Sequence, residues 1–195
     1  MAPTLSAAIL AGGRASRLGG LDKSALLVDG RSILERELAA VRALTTDICI
    51  VANDPTRFET VDLPVRGDLV PGAGTLGGLY TAVAGSNAPF VLALACDMPF
   101  LTTAFLRHLV SRAAEADVVL PRDASGRHVL CGVFATHVAP HLRAAIEAGR
   151  LRVADALAAL RVCEVGPAET APYDPDGRLL LNVNTPADYA RATAS

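Results

Sequence analysis

Short runs of apolar residues alternate with amphipathic stretches along the chain. Continuous apolar runs are typical of buried strands, and apolar residues recurring every three or four positions are typical of helices. The predicted strands are Leu5–Leu10, Asp47–Ala52, Leu63–Arg66, Phe90–Ala95, Asp117–Pro121, Val129–Ala135, Val162–Val165 and Leu179–Val183. The predicted helices are Ser32–Ala43, Gly77–Ala84, Thr103–Ala114, Ala139–Ala148 and Val153–Leu160, with a short terminal helix capped at Thr185. Gly166–Gly177, rich in proline, aspartate and glycine, is predicted to be a loop.

The order of these elements indicates an α/β fold built as one domain over residues 1–195. Strands and helices alternate over residues 1–120, a pattern typical of a mostly parallel sheet covered on both faces. The turn signal Asp123–Gly126 predicts a hairpin, which makes the sheet mixed. Ligands of such sheets bind beyond the carboxyl ends of the strands. The residues after Leu10, Ala52, Ala95 and Val183 are therefore expected to face one cleft.

The composition excludes several classes of protein. A hydrophobic share of 51% provides a core, and a charged share of 19% is too low for a disordered chain. Eighteen basic and twenty acidic residues leave a net charge of −2, without the basic surplus that nucleic-acid binding requires. The chain has no apolar run long enough for a membrane span and no basic region of a secretory signal, so we expect a cytoplasmic protein. Its four cysteines form no C-x-x-C pair and are expected to be reduced core residues.

The segment after the first strand combines glycines with positive charge. It runs from Leu10 to Lys23, and Lys23 is the single lysine among the eighteen basic residues. Four glycines let backbone N–H groups approach an anion, and Arg14, Arg17 and Lys23 add cations. The segment matches neither a Walker A loop nor G-x-G-x-x-G. It predicts phosphate binding; the alternative is an ordinary turn between a strand and a helix.

Two polar residues follow the next strands. Asn53 comes directly after Asp47–Ala52, where its amide could contact a base or a ribose. Asp68 follows Leu63–Arg66, and its carboxylate can accept hydrogen bonds from the N1–H and N2–H groups of guanine. Both residue types also favour turns, which is the alternative for each.

Asp97 follows the most apolar strand and precedes Met98-Pro99. A carboxylate at such a position is suited to hold a divalent cation such as Mg²⁺, whereas it lies too far upstream to cap the next helix. Asn182 and Asn184 alternate with Val183, so both are expected to face one side of the last strand and to contact a ligand. The alternative, a helix cap, accounts for only one of the two asparagines.

Together these segments resemble the molybdenum cofactor guanylyltransferases, the MobA family of the nucleotidyltransferase superfamily. The resemblance runs from LAGGRASRLGGLDKS through ACDMP to NVNTPADY and covers essentially the whole chain. Cytidylyl-transferring relatives tend to have LAAG in the first loop and aspartates where this chain has Asn182 and Asn184, so the sequence favours guanine. The resemblance implies the three-layer, Rossmann-like nucleotide-diphospho-sugar transferase fold.

The resemblance also implies a reaction and its residues. GMP would pass from GTP to Mo-molybdopterin with release of pyrophosphate, using Mg²⁺ on Asp97 and catalytic contributions from Arg17, Lys23 and Asp97. The implied GTP contacts are Leu10, Ala11, Gly12, Gly13, Lys23, Asn53, Asp68 and Asp97, and Asn182 and Asn184 match the molybdopterin side. Transient contacts with molybdopterin-handling proteins and apo-molybdoenzymes are implied as well, with neither nucleic acid nor membrane as a partner.

One segment departs from the family pattern. Relatives often carry Gln-Pro or a similar dipeptide after the hairpin, where this chain has Arg127-His128-Val129-Leu130. We interpret His128 as an exposed hairpin residue; the alternative is a polar contact in the acceptor pocket.

Other functions fit parts of the sequence. A nucleotidyltransferase that uses CTP or a sugar-phosphate acceptor shares the glycine-rich loop and the Asp97 turn. A non-catalytic carrier of nucleotide or molybdopterin would not need Lys23 and Asp97 together. A dinucleotide-dependent oxidoreductase is disfavoured because G-x-G-x-x-G is missing.

Overall fold

An eight-stranded mixed sheet occupies the centre of the computed structural model, which describes residues 4–12 and 23–194. The expectations for Gly13 and Arg17 concern residues outside this described part. The strands are β1 (Leu5–Leu10), β2 (Leu27–Val28), β3 (Arg31–Ser32), β4 (Ile48–Val51), β5 (Val65–Arg66), β6 (Phe90–Ala95), β7 (Val118–Asp123), β8 (Gly126–Arg127), β9 (Cys131–Ala135) and β10 (Val162–Val165). The helices are α1 (Ile33–Arg42), α2 (Gly74–Ala84), α3 (Thr103–Ser111), α4 (Ala139–Glu147), α5 (Val153–Leu157), α6 (Pro167–Thr170) and α7 (Pro186–Thr193).

The strand order is β10-β7-β9-β6-β1-β4-β5, with β8 paired to β7, while β2 and β3 form a separate hairpin. Strands β6, β1, β4 and β5 run parallel, and β10 runs parallel to β7. Strand β9 runs antiparallel to both β6 and β7. The predicted mostly parallel, mixed sheet is therefore confirmed.

Helices cover both faces of this sheet. Ile9 and Leu94 point to the face packed by α1 and α3, where Leu38 and Phe105 are buried. The preceding residue of β6, Ala93, belongs to the opposite cluster, which contains residues of α2, α4 and α5. Alternate residues of a strand point to opposite faces, so a strand covered on both faces is apolar at every position. This arrangement confirms the predicted three layers, and no helix among the described residues is long and apolar enough to cross a bilayer.

Local sequence signals set several of the helix starts. The Ser32 hydroxyl accepts from the Glu35 N–H at 3.2 Å, and the Ser32 N–H donates to Glu35 Oε2 at 2.7 Å, which completes a capping box at α1. Thr102 caps α3 and Thr185 caps α7 in the same way, through side-chain oxygens that accept N–H groups. Asp97 is therefore not a helix cap, and neither is Asn184.

The predicted last strand, Leu179–Val183, is wrong, because this segment forms no part of the sheet. Its backbone groups have other partners: the Leu179 N–H donates to Asp174 Oδ1 at 2.9 Å. The Val183 N–H donates to the Asp97 carbonyl at 2.8 Å. These contacts replace a sheet neighbour and hold the segment beside the end of β6.

Several predicted boundaries also differ from the structure. The predicted loop Gly166–Gly177 contains α6, which begins at a proline after Gly166, and a 3₁₀ turn over Ala171–Tyr173. Helix α2 begins at Gly74 rather than Gly77, because its N-cap Ala73 provides no side-chain signal. Other helices and strands end earlier or start later than predicted, as in α3, α5, β5 and β9.

Candidate active site

A cavity of about 640 Å³ opens at the carboxyl ends of β1, β4 and β6. Its lining includes the residues that end or follow these strands and the segment at residue 184, as the strand-end rule predicts. The predicted site residues on its wall are Leu10, Ala11, Gly12, Lys23, Asn53, Asp68, Asp97 and Asn184. Asn182 lies outside this lining, on a neighbouring cavity.

Asn53 and Asp68 form a reciprocal pair on the cavity wall. The Asn53 amide donates to Asp68 Oδ2 at 2.8 Å, and the Asp68 N–H donates to Asn53 Oδ1 at 2.8 Å. The two residues are fifteen positions apart in sequence, so neither acts as a simple turn residue. The pair holds the Asp68 carboxylate in one orientation, which a hydrogen-bonding partner in the cavity can use.

Helix α2 lies directly against the segment that carries Asp68. A Cβ atom at Gly77 would lie 3.2 Å from the Val70 carbonyl oxygen and 3.9 Å from Asp68 Cγ, so a larger residue would press against this segment. The Leu69 N–H donates to the Thr81 hydroxyl at 2.9 Å, which ties the segment to the same helix. The glycine therefore permits the close packing that places Asp68 at the cavity.

Asp97 is buried at the junction of the cavity walls. Its side chain is 16% exposed, and its Oδ1 is buried without a hydrogen-bond partner among the described residues. Burial raises the pKa of the Asp97 carboxyl above its ordinary value, while the positive charge of Lys23 opposes this rise. A buried carboxylate oxygen without a partner is energetically costly, so the site favours a bound cation.

Lys23 reaches across the cavity from the chain segment before β2. Its Nζ donates to Asn184 Oδ1 and lies 3.9 Å from Asp97 Oδ2. The ammonium group thus lies between the turn after β6 and the segment before α7. Lys23 therefore lies at the cavity and puts one positive charge on its wall.

A metal at this site would have Asp97 as its protein ligand. The described residues contain no group of three or more His, Cys, Asp or Glu side chains able to hold a metal ion. Mg²⁺ binds proteins through one or two carboxylates and takes its other ligands from phosphate and water. A single buried carboxylate with an unpaired oxygen therefore fits Mg²⁺ bound together with a nucleotide.

A second cavity, of about 270 Å³, adjoins the first. The two cavities share Ala95, Asp97, Leu130 and Asn184 as lining residues. His128 and Asn182 line only the smaller one.

The interpretation of His128 as an exposed hairpin residue is wrong. Its side chain is 8% exposed, and its Nε2 lies 2.8 Å from Asp123 Oδ2. The His128 N–H donates to the Pro121 carbonyl at 2.9 Å, because the chain after β8 continues back along β7. The buried His128 side chain thus lines the smaller cavity.

Sequence reasoning missed two charged residues, one on the wall of the larger cavity and one behind the Asp97 turn. Arg57 lines the larger cavity and donates to the Ala11 carbonyl at 3.2 Å, which adds a second cation to the wall. Glu37 of α1 is 1% exposed, and its Oε1 accepts the Met98 N–H at 3.0 Å directly behind the Asp97 turn. The one sequence feature that indicates burial of Glu37 is its position on the apolar face of the predicted helix.

We predict that Glu37 makes folding stability depend on pH. Burial raises the pKa of the Glu37 carboxyl well above 4.5, so the folded protein binds a proton that the unfolded chain releases. Above about pH 4.5 the free energy of unfolding should fall by about 1.4 kcal/mol per pH unit while the folded carboxyl remains protonated. Urea unfolding of the wild type and of Glu37→Gln between about pH 5 and 8 measures this difference. Parallel pH profiles for the two proteins would contradict it.

Comparisons with known proteins identify related sequences and a related fold. The model of the MobA-like NTP transferase domain matches residues 7–162. A probable molybdenum cofactor guanylyltransferase of Chloroflexus aggregans is 34% identical over 94% of this chain and 91% of its own length. A molybdenum cofactor guanylyltransferase of Desulfosudis oleivorans is 28% identical over 96% and 93%, respectively. The crystal structure of molybdopterin-guanine dinucleotide biosynthesis protein A from Archaeoglobus fulgidus matches with a TM-score of 0.83 at 24% identity, covering 96% of each chain. Because the family model matches most of the chain and a relative is 34% identical over nearly its whole length, this chain belongs to the family of MobA-like NTP transferases.

Proposed function

We propose that this protein is a molybdenum cofactor guanylyltransferase, which transfers GMP from GTP to Mo-molybdopterin and releases pyrophosphate. The observation that carries the proposal is the wall shared by two adjoining cavities, formed in part by Asp97 and Asn184. A transferase must bring two substrates together at one point, and the charged groups Lys23 and Asp97 lie at that point. The names of the relatives support the same activity.

The guanine end of the larger cavity is assigned to Asp68. Guanine offers two adjacent donors, N1–H and N2–H, which a carboxylate can accept together, whereas cytosine and uracil do not offer this pair. Asn53 keeps the carboxylate in place through its 2.8 Å bond to Asp68 Oδ2. The nucleotide preference therefore depends on the pair and not on Asp68 alone.

The phosphate end is assigned to Lys23 and Asp97. Lys23 donates to the phosphate oxygens and stabilises the negative charge that develops on the departing pyrophosphate. Asp97 would hold Mg²⁺, and a bound Mg²⁺ supplies positive charge that offsets the charge on the phosphates. Arg17, outside the described residues, is proposed to add a further cation.

The attacking group is the terminal phosphate of the pterin substrate, which we assign to the smaller cavity, the acceptor cavity. One of its oxygens forms a bond to the α-phosphorus of GTP, and the bond from that phosphorus to the bridging oxygen of pyrophosphate breaks. A phosphate monoester is already anionic near neutral pH, so the reaction requires no general base. Catalysis then rests on positioning and on stabilisation of charge. We further propose that the protein acts in the cytoplasm and contacts molybdopterin-handling proteins and apo-molybdoenzymes transiently.

Pyrophosphate release tests this function. With Mo-molybdopterin and Mg²⁺, we expect GTP to react at least about tenfold faster than CTP, UTP or ATP, the scale set by one well-placed hydrogen-bonding pair. Asp68→Asn should reduce this preference, because an amide cannot accept both guanine donors. Asp62→Asn, an exposed aspartate outside both cavities, is the matched control and should leave the preference unchanged.

Two outcomes would replace the proposal. A faster reaction with CTP would make the protein a cytidylyltransferase. Binding of GTP and molybdopterin without release of pyrophosphate would make it a carrier.

A further inference from the structure

His128 and Asn182, which line the acceptor cavity, belong to a row of three linked polar side chains whose connections the proposed function does not explain. Asp123 Oδ2 lies 2.8 Å from His128 Nε2, and His128 Nδ1 lies 3.4 Å from the amide nitrogen of Asn182. The same nitrogen lies 3.4 Å from the Leu180 carbonyl oxygen. The row runs from the β7–β8 turn to the segment before α7, and its imidazole is almost fully buried.

The first link determines which imidazole nitrogen carries the hydrogen. Asp123 Oδ1 accepts both the Ser125 N–H, at 2.7 Å, and the Ser125 hydroxyl, at 2.6 Å. Its other oxygen therefore faces His128, and as a carboxylate it can only accept. His128 Nε2 must donate to it, which leaves Nδ1 as an acceptor in the neutral ring.

The second link determines how the Asn182 amide is oriented. The Leu180 carbonyl can only accept, so the amide group facing it must be the nitrogen. The second N–H of this amide then meets His128 Nδ1. Two independent acceptors thus select the same orientation, and they use both hydrogens of the Asn182 nitrogen.

The carbonyl oxygen of Asn182 is consequently the atom that meets a ligand. Among residues 4–12 and 23–194, no donor is assigned to this oxygen, and it is not one of the buried polar atoms without a partner. A carbonyl oxygen attracts N–H and O–H groups and repels phosphate oxygens. This end of the acceptor cavity is therefore suited to a donor-bearing group.

We propose that Asp123 and His128 are positioning residues that lock Asn182 with its carbonyl oxygen toward the acceptor cavity. The cavity would then select an acceptor that presents a ring N–H or amino group to Asn182. The acceptor's phosphate would then lie toward Asn184, which lines both cavities and accepts from the Lys23 ammonium. This inference rests on the proposed function, because that function assigns the cavity to the acceptor.

The variant Asp123→Asn tests the lock with an isosteric side chain. Ser125 still donates its N–H to the oxygen at the Oδ1 position, so the new NH₂ group must face His128 Nε2. Because Nε2 must now accept from this NH₂ group, the imidazole carries its hydrogen on Nδ1. The His128 Nδ1–H group then faces an N–H group of the Asn182 amide, so two donors oppose each other. We expect the KM for Mo-molybdopterin to rise about tenfold while the KM for GTP stays unchanged, the scale of one lost hydrogen bond in a buried site.

Two further measurements separate positioning from a merely structural effect. In an Asn182→Ala background, Asp123→Asn should have no additional effect on the acceptor KM. The ¹⁵N chemical shifts of His128 should report Nε2–H in the wild type and Nδ1–H in Asp123→Asn. Asp62→Asn is again the control.

The proposal is overturned if Asp123→Asn changes the tautomer without changing the acceptor KM. It is also overturned if the variant has the same effect with and without Asn182. If the wild-type protein releases no pyrophosphate at all, the proposed function fails separately. In that case the ¹⁵N measurement still tests whether Asp123 and His128 position Asn182. An Nδ1–H tautomer of His128 in the wild type would exclude that positioning.

Discussion

Asp97→Asn is expected to lower the rate of GMP transfer by about a thousandfold, the upper range for removing one electrostatic contribution from a transition state. The amide has nearly the same shape, but it lacks the negative charge that faces Lys23 and that would hold Mg²⁺. Single-turnover measurements at saturating Mg²⁺ and GTP give the rate.

The same variant should fold normally. Burial already disfavours the charged form of Asp97, so a neutral amide should leave the melting temperature unchanged or raise it. Asp176→Asn, an exposed aspartate outside both cavities, is the matched control for the loss of a charge. If folded Asp97→Asn protein transfers GMP at the wild-type rate, Asp97 is not a catalytic residue.

Lys23→Met is expected to lower turnover by about a hundredfold, because a donor to the departing pyrophosphate is lost. Methionine keeps most of the apolar stem of the side chain and removes only the ammonium group. Lys23→Arg should recover only part of the rate, since a planar guanidinium meets phosphate and Asn184 with different geometry from a compact ammonium.

A chemical experiment complements the kinetics of Lys23. Because the chain has one lysine, an amine-directed reagent has Lys23 Nζ as its only side-chain target, and bound GTP should protect it. Mass spectrometry of the modified protein measures the protection. Equal labelling with and without GTP, together with full activity of Lys23→Met, would show that the ammonium does not contact the nucleotide.

Much of the site could be predicted from sequence because it obeys a simple geometric rule. Leu10, Asn53 and Asp97 each end or follow a parallel strand, and parallel strands bring their carboxyl ends to one edge of the sheet. The helix caps at Ser32 and Thr185 were equally accessible, because capping depends on residues three positions apart.

The parts that could not be predicted depend on contacts between distant segments. Glu37 has a polar partner 61 positions away in the Asp97 turn, and hydrophobic patterning treats any glutamate as exposed. His128 is buried because the β8 hairpin brings Asp123 to its ring. The segment Leu179–Val183 has the composition of a strand, but the Asp97 carbonyl takes the place of a neighbouring strand for Val183.

The contact between Lys23 and Asn184 has a practical consequence for anyone who shortens this protein. The region that the family model matches stops at residue 162, about twenty positions before the asparagine that accepts from the ammonium. A fragment that ends at residue 162 would keep the strands that position Leu10, Asn53 and Asp97. It would lose Asn184, which lines both cavities. A shortened protein should therefore include every segment that lines the cavities. It should also include helix α7, because its capped start directly follows Asn184.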